Sequence, residues 1–374
     1  MGLVRGRSPN TLFDGGRVLE PEQIANSKLN RDEYELRKSE LKAYPRRLVL
    51  EITNSCNLIC LMCQGSRNGK TLHRLNFKDF CWFEPLFNVV EEVTLFGVGE
   101  PTMNPDFPKM LEKLDDYPVR KYFCTNGTMP EKYKNAIFDY HVDNFAVSID
   151  RVESKTDTIG HSFSDVWKHL KDVVDTKKIK NVNYPHIRIV CCLMKDNLNE
   201  LPDLVDKAIE TGVNEVRVVY FTAFKNEDKD KEQILREQIL WNDKDKVETI
   251  FNQLKEKSEK ILIYVPHIPG KDPADKKLHN DCEMAWRDLF IGADGKIRPC
   301  MSSSERFLEA SKKLFDESKS LDDVWNDVWN GSEFQNHRRT VNDEEEMSKY
   351  CKTCYQASHA NWNKRYAFDQ CGIS

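Results

Sequence analysis

The sequence predicts an α/β protein with a parallel sheet, followed by a small cysteine-bearing C-terminal part. Apolar, β-branched runs recur at 48–52, 93–96, 121–124, 145–149, 187–193 and 216–221. Helical patterns, as at 107–114 and 163–174, lie between them. Strands that alternate with helices in this way imply parallel βαβ units. A third observation locates the chemistry. Motifs containing Cys, Gly, Asn or Asp follow the runs directly, and parallel barrels place their active groups beyond the C-terminal strand ends.

Taken in order, residues 1–45 read as an N-terminal helical extension. The 31–43 stretch is a good helix former, with Glu33 and Arg37 one turn apart, and Pro45 ends it. This extension is too short for a separate peptide-binding domain and suits a helix that covers one end of the sheet. Residues 46–225 hold the alternating strands and helices. Residues 226–280 are dense in charge and read as a solvated helical bridge. Residues 281–374 carry a second set of cysteines.

Composition narrows the function. A chain of 374 residues has room for a large core and two domains, and 39% apolar with 31% charged residues is ordinary for a soluble globular protein. A net charge of -5 argues against a nucleic-acid surface, which needs clustered Lys and Arg. The opening residues, Met1 to Arg7, lead to no apolar run of secretory length, and no stretch is long and apolar enough to span a membrane. The expected location is therefore cytoplasmic. In that reducing compartment twelve cysteines are better read as metal ligands than as disulfides.

Directly after the first run comes Asn54-Ser55-Cys56-Asn57-Leu58-Ile59-Cys60-Leu61-Met62-Cys63. Thiolates are the natural ligands of iron–sulfur clusters. A loop this tight can hold three irons of a cubane and leave the fourth open to bind and reduce a small molecule. A zinc knuckle, which closes four ligands around one ion, is the alternative, with His73 as the fourth. The C-x3-C-x2-C loop behind an apolar strand resembles the signature of the radical S-adenosylmethionine (SAM) enzymes. Met62 stands where that family usually has an aromatic residue, and a thioether can also contact a ring.

The resemblance implies a partial (β/α)6 barrel of the TIM type, with a 4Fe–4S cluster whose open iron chelates the amino and carboxylate groups of SAM. One electron from it, supplied by a flavodoxin- or ferredoxin-type donor, cleaves SAM to a 5′-deoxyadenosyl radical that abstracts a substrate hydrogen. Further matches follow the strands. Gly97-Val98-Gly99-Glu100-Pro101 looks like the family's segment for the SAM amino group, with glycines that let a backbone approach a ligand and Glu100 as a further acceptor. Thr125-Asn126-Gly127-Thr128 is either a plain Asn-Gly turn or a SAM contact through Asn126. Ser148-Ile149-Asp150 is similar to the family's S-x-D, with Ser148 and Asp150 on one strand face. Arg188 and Arg217, both on expected strands, are candidates to meet the SAM carboxylate.

In the C-terminal part, Cys282 is followed by Gly295 and Cys300 in a C-x12-G-x4-C pattern, and Cys351 and Cys354 form a C-x2-C pair. The 290–295 stretch reads as a hairpin with an Asp-Gly turn, and a hairpin closed by a remote Cys pair is a metal-site pattern. It resembles the twitch or SPASM-type extension, a small α+β domain with auxiliary clusters. The full SPASM spacing of later cysteines is absent, since only Cys371 follows Cys354. That implies one auxiliary 4Fe–4S cluster on Cys282, Cys300, Cys351 and Cys354, with zinc on the same thiolates as the alternative. Cys371 is either a hydrogen-atom donor or a leftover thiol. Cys81, Cys124, Cys191 and Cys192 read as buried packing residues.

These features point to a radical SAM oxidoreductase or epimerase acting on a small polar molecule such as a sugar or aminocyclitol. A peptide- or protein-modifying maturase, of the thioether-forming or sulfatase-activating type, is the second reading. A non-catalytic metal scaffold is the third.

Overall fold

The computed structural model describes residues 3–5, 16–60, 62–63, 71–153, 163–221, 229–240, 243–266, 268, 282–298, 300, 321–343, 345–348 and 351. Among the described residues ten strands form one sheet: β1 (Leu3–Arg5), β2 (Arg47–Leu50), β3 (Glu92–Leu95), β4 (Arg120–Thr125), β5 (Asn144–Ser148), β6 (His186–Leu193), β7 (Glu215–Tyr220), β8 (Leu262–Val265), β9 (Asp288–Ile291) and β10 (Ile297–Arg298). Their order is β1-β8-β7-β6-β5-β4-β3-β2-β9-β10. Every pair is parallel except β9 with β10. The helices are α1 (Pro21–Glu35), α2 (Phe77–Cys81), α3 (Phe107–Asp115), α4 (Lys134–Asp139), α5 (Phe163–Lys180), α6 (Leu201–Thr211), α7 (Lys229–Glu237), α8 (Lys244–Lys257), α9 (Met284–Arg287), α10 (Leu321–Val328) and α11 (Ser332–Thr340). The fold is α/β, a partial TIM-type barrel with a C-terminal extension. The six expected runs are β2 to β7.

Period-2 alternation gives the sheet two unlike faces. Leu48, Leu50, Val93, Leu95, Phe123, Phe145, Ile187 and Ile189 are buried in one core with Met110, Leu170, Val205 and Phe251 of the helices. The alternate residues are buried too, yet polar: Arg47, Glu92, Thr94, Asn144, Arg188, Glu215, Arg217 and Asp288. Several bond to one another. Arg47 forks onto Asp288 (Nε–Oδ1 3.1 Å, Nη2–Oδ2 2.8 Å), and Arg188 donates to Asn144 Oδ1 at 2.7 Å. A buried guanidinium keeps its charge only with such partners.

Two strands lie beyond the expected barrel. β8 falls within 226–280, where the charge density suggested helices alone, and pairs in parallel with β7. β9 opens the 281–374 part, yet pairs in parallel with β2, Arg47 opposite Asp288. The same sheet thus runs from the barrel into the cysteine-bearing hairpin. The Asp-Gly turn is present, with Gly295 at φ 72° between β9 and β10.

The N-terminal helix differs from expectation. It is α1, starting at Pro21 and ending at Glu35, not a helix over 31–43. Its start is set by Pro21 in the first turn and by Gln23 Oε1, which accepts from the Glu20 N–H at 2.9 Å. Past it, Arg37 takes φ 51° and the chain turns back. Glu33 does not brace a helix with Arg37. Its buried carboxylate accepts from the Lys42 and Ala43 N–H groups at 3.0–3.1 Å. The carbonyls of Lys38, Ser39, Leu41 and Ala43 are taken by Trp286, Arg338, Asn330 and Trp329. Tertiary partners here outweigh helix propensity. α1 itself lies at the N-terminal strand ends, with Gln23 donating to Val90 O and Asn30 to Trp286 O, both at 2.7 Å.

Candidate cofactor-binding site

The cysteine loop leaves the C-terminal end of β2 and is held by its neighbours. Asn54 Oδ1 accepts from His73 N–H at 2.7 Å and Asn54 N–H donates to His73 O at 3.3 Å. His73 is thus a backbone brace. Its backbone, through both N–H and C=O, ties the 71–74 stretch to the start of the cysteine loop.

Those three thiols are half-buried and feel one another. Burial pushes the Cys60 thiol up to about 12, with Cys63, Cys56 and Asp150 adding to it. Burial also raises Cys56, although the Leu58 N–H (3.4 Å) and the Asn126 amide (3.8 Å) point at its sulfur. Three soft donors on one loop fit a cationic metal–sulfur centre, whose charge makes thiolates of them.

The glycines of the next motif are needed for packing against this loop. A Cβ on Gly99 would lie 2.3 Å from Thr53 O and 2.6 Å from Ser55 O, and one on Gly97 would lie 2.3 Å from Glu51 Cγ. No side chain larger than hydrogen fits. The contact is sealed by the Glu100 N–H donating to Ser55 O at 2.8 Å, and Cys63 Sγ lies 4.0 Å from Val98 O.

Glu100 is buried and its carboxylate is occupied by the protein itself. Oε1 accepts from the Thr102 and Thr125 hydroxyls, each at 2.7 Å, and Oε2 from the Asn126 N–H at 2.7 Å. It braces the end of β3 against the end of β4. Asn126 exceeds a plain turn: its side-chain amide donates to Asn57 Oδ1 at 2.9 Å, so β4 reaches into the cysteine loop. Asn57 returns a bond to Thr128 Oγ1 at 2.7 Å.

Ser148 is half-buried at the end of β5. Asp150 beyond it is buried, and its Oδ1 accepts from the Cys192 N–H at 2.7 Å. Burial lifts its carboxyl to about 7, against the pull of that N–H and of Arg151. Arg188 and Arg217 are not at the mouth. Both are buried on the polar sheet face beside Glu215, Arg217 Nε at 2.5 Å and Arg188 Nη2 at 3.7 Å, and Glu215 begins β7 at its N-terminal end.

In the C-terminal part, Cys282 is buried, and Asn342 grips its backbone on both sides: Cys282 N–H to Oδ1 at 2.6 Å and Nδ2 to Cys282 O at 3.1 Å. Cys300 and Cys351 are half-buried against the same core, and the Cys351 N–H donates to Ser348 Oγ at 3.3 Å. Cys354 and Cys371 lie outside the described residues. One residue that sequence reasoning passed over is Glu51, a carboxylate in the otherwise apolar 48–52 run. The signal was that interruption, next to the cysteine motif.

The chain matches the family model of the Radical SAM superfamily over residues 50–208 and that of SPASM, an iron-sulfur cluster-binding domain, over residues 282–355. It belongs to the radical SAM superfamily, with a SPASM extension and 4Fe–4S clusters that include an auxiliary one.

Its relatives act in different ways. A probable GTP 3′,8-cyclase of Methanococcus maripaludis is 23% identical over 316 residues, covering 81% of this chain and 95% of that protein. The antilisterial bacteriocin subtilosin biosynthesis protein AlbA of Bacillus subtilis is 21% identical, covering 83% of this chain and 67% of that one. In fold, the chain is similar to Streptococcus suis SuiB bound to SAM, with a TM-score of 0.62 at 17% identity, covering 90% of this chain and 78% of SuiB.

Proposed function

We propose that this enzyme abstracts a hydrogen atom from a small polar molecule, with oxidation or epimerisation as the outcome. The supporting observation is the N-terminal extension. Its 36–43 stretch is tied to Trp286, Trp329, Asn330 and Arg338, and α1 to Val90. Among the described residues the extension is built into the N-terminal end of the barrel. The near full-length match to a probable GTP 3′,8-cyclase, named for a nucleotide, supports a small substrate as well.

The roles assigned to the residues are part of the proposal. Cys56, Cys60 and Cys63 hold the cluster that, when bound, supplies the electron for cleaving SAM. Val98 and its flanking glycines present backbone to the SAM amino group, and Ser148 and Asp150 line the cofactor side of the mouth. Asn126 holds the cysteine loop and aims an N–H at Cys56. Cys282, Cys300, Cys351 and Cys354 hold one auxiliary cluster. A flavodoxin- or ferredoxin-type donor supplies the electron, and the site of action is the cytoplasm.

The second reading is a peptide maturase, favoured by the likeness in fold to SuiB and by the relation to AlbA. Anaerobic turnover with dithionite and SAM separates the two. One equivalent of 5′-deoxyadenosine per product is expected with a sugar, aminocyclitol or nucleotide. Substrate-dependent cleavage that occurs only with a peptide would sink the small-molecule reading.

A further inference from the structure

The SAM-facing segment and the hairpin leading to Cys300 meet on one carboxylate. Glu51, the residue after β2, is 1% exposed. Its Oε1 accepts from the Val98 N–H at 2.7 Å. Its Oε2 accepts from the Ala293 N–H at 3.0 Å and from Arg298 Nη1 at 3.1 Å. The first donor lies between Gly97 and Gly99. The other two lie on the β9–β10 hairpin, with Arg298 two residues before Cys300.

Both backbones are cleared for this arrangement. Gly97 has no room for a Cβ because Glu51 is there, and a Cβ on Gly292 would lie 2.9 Å from Arg298 Cζ. Arg298 is further steered by Asp294 (3.7 Å) and by the Phe290 ring (5.6 Å). A buried carboxylate with a charged partner cannot lose that partner cheaply. Displacing the hairpin therefore disturbs the acceptor that fixes Val98, and the reverse.

We propose that Glu51 is a positioning residue that couples the two cofactor segments. Filling the auxiliary site orders the hairpin, which through Arg298 and Glu51 fixes the 97–99 backbone for SAM. By linkage, bound SAM favours the same hairpin position. The inference rests on the assignment above of 97–99 to SAM and of Cys300 to the auxiliary cluster.

A double-mutant cycle on the reconstituted holoenzyme tests it. The SAM dissociation constant is measured by calorimetry in the parent, C300A, E51Q and the double variant, beside iron content and the spin signal of the first cluster. C300A is expected to weaken SAM binding by about tenfold, within the usual range for coupled sites. E51Q weakens it as well, and adding C300A to E51Q costs nothing further. R298M leaves the Val98 bond in place and should reproduce most of the loss with the first cluster's iron intact. Equal SAM affinity in the parent and C300A overturns the proposal, as do losses that multiply in the double variant. Where C300A also strips the first cluster, the cycle with R298M in its place decides on the same criterion. Any of these failures leaves substrate-dependent 5′-deoxyadenosine formation unaffected, so it is distinct from a failure of the proposed substrate class.

Discussion

Glu92 begins β3 on the polar face of the sheet, and burial drives its carboxyl from the ordinary 4.5 up to about 7, against the pull of Arg47, Arg120 and Arg188. A raised carboxyl binds its proton more tightly folded than unfolded. Below pH 4.5 both states are protonated and nothing is lost. As pH rises from 4.5 to about 7 the unfolded chain ionises first, so stability falls, and the full penalty remains above 7. A shift of this size corresponds to about 3 kcal/mol. Glu92→Gln keeps an acceptor for the Thr94 hydroxyl (2.7 Å) and removes the titration. The variant should gain on the parent in melting temperature between pH 4.5 and 8. An equal difference at both ends would show that the proton plays no part. Such environments are where single residues escaped sequence reading. Arg188 and Arg217 read as carboxylate ligands because nothing in the sequence pairs them with Glu215, on a neighbouring strand and on the same strand respectively.

At the scale of elements, the six barrel strands were legible because each is a run with β-branched or aromatic residues between polar turns, and burial on both faces reinforces that pattern. β1 (Leu3–Arg5) was not, being three residues long, and β8 (Leu262–Val265), as long as β2 and β3, was masked by the charge density around it. α1 carried a readable start in Glu20-Pro21-Glu22-Gln23, and propensity further on drew attention away from it. The motif loops were legible by spacing, but the reason for their glycines was not. Spacing suggests room for a ligand, whereas the structure shows two protein backbones in contact at Gly99. Gly99→Ala places a Cβ 2.3 Å from a carbonyl oxygen that belongs to backbone and cannot rotate away. Overpacking of this kind costs about 1–3 kcal/mol. The strain falls on the bond from Glu100 N–H to Ser55 O. SAM-dependent 5′-deoxyadenosine formation should drop at least about tenfold, the effect of 1.4 kcal/mol on a rate, together with a lower melting temperature. A variant with parental turnover would mean that the loop has freedom the packing denies it.

For the whole molecule, the sheet makes the barrel and the hairpin one scaffold: β2 pairs with β3 on one side and β9 on the other. The cysteine loop leaves the end of β2, and the chain reaches Cys300 just past β10. Two sites built on one sheet should fill separately but act together. With one cubane at each, the anaerobic protein should carry about eight irons per chain. Replacing Cys56, Cys60 and Cys63 with Ala should remove about four of them and abolish SAM cleavage. Replacing Cys282 with Ala should also remove about four, yet leave cleavage that is uncoupled from product. Iron analysis beside a 5′-deoxyadenosine-to-product ratio reads both. A parent protein with one or two zincs and no iron–sulfur absorption would contradict the cluster assignment. Loss of all iron on removing Cys282 alone would mean instead that the hairpin is needed for the barrel to fold. In that case the shared sheet would be a condition of stability and not a route between two working sites.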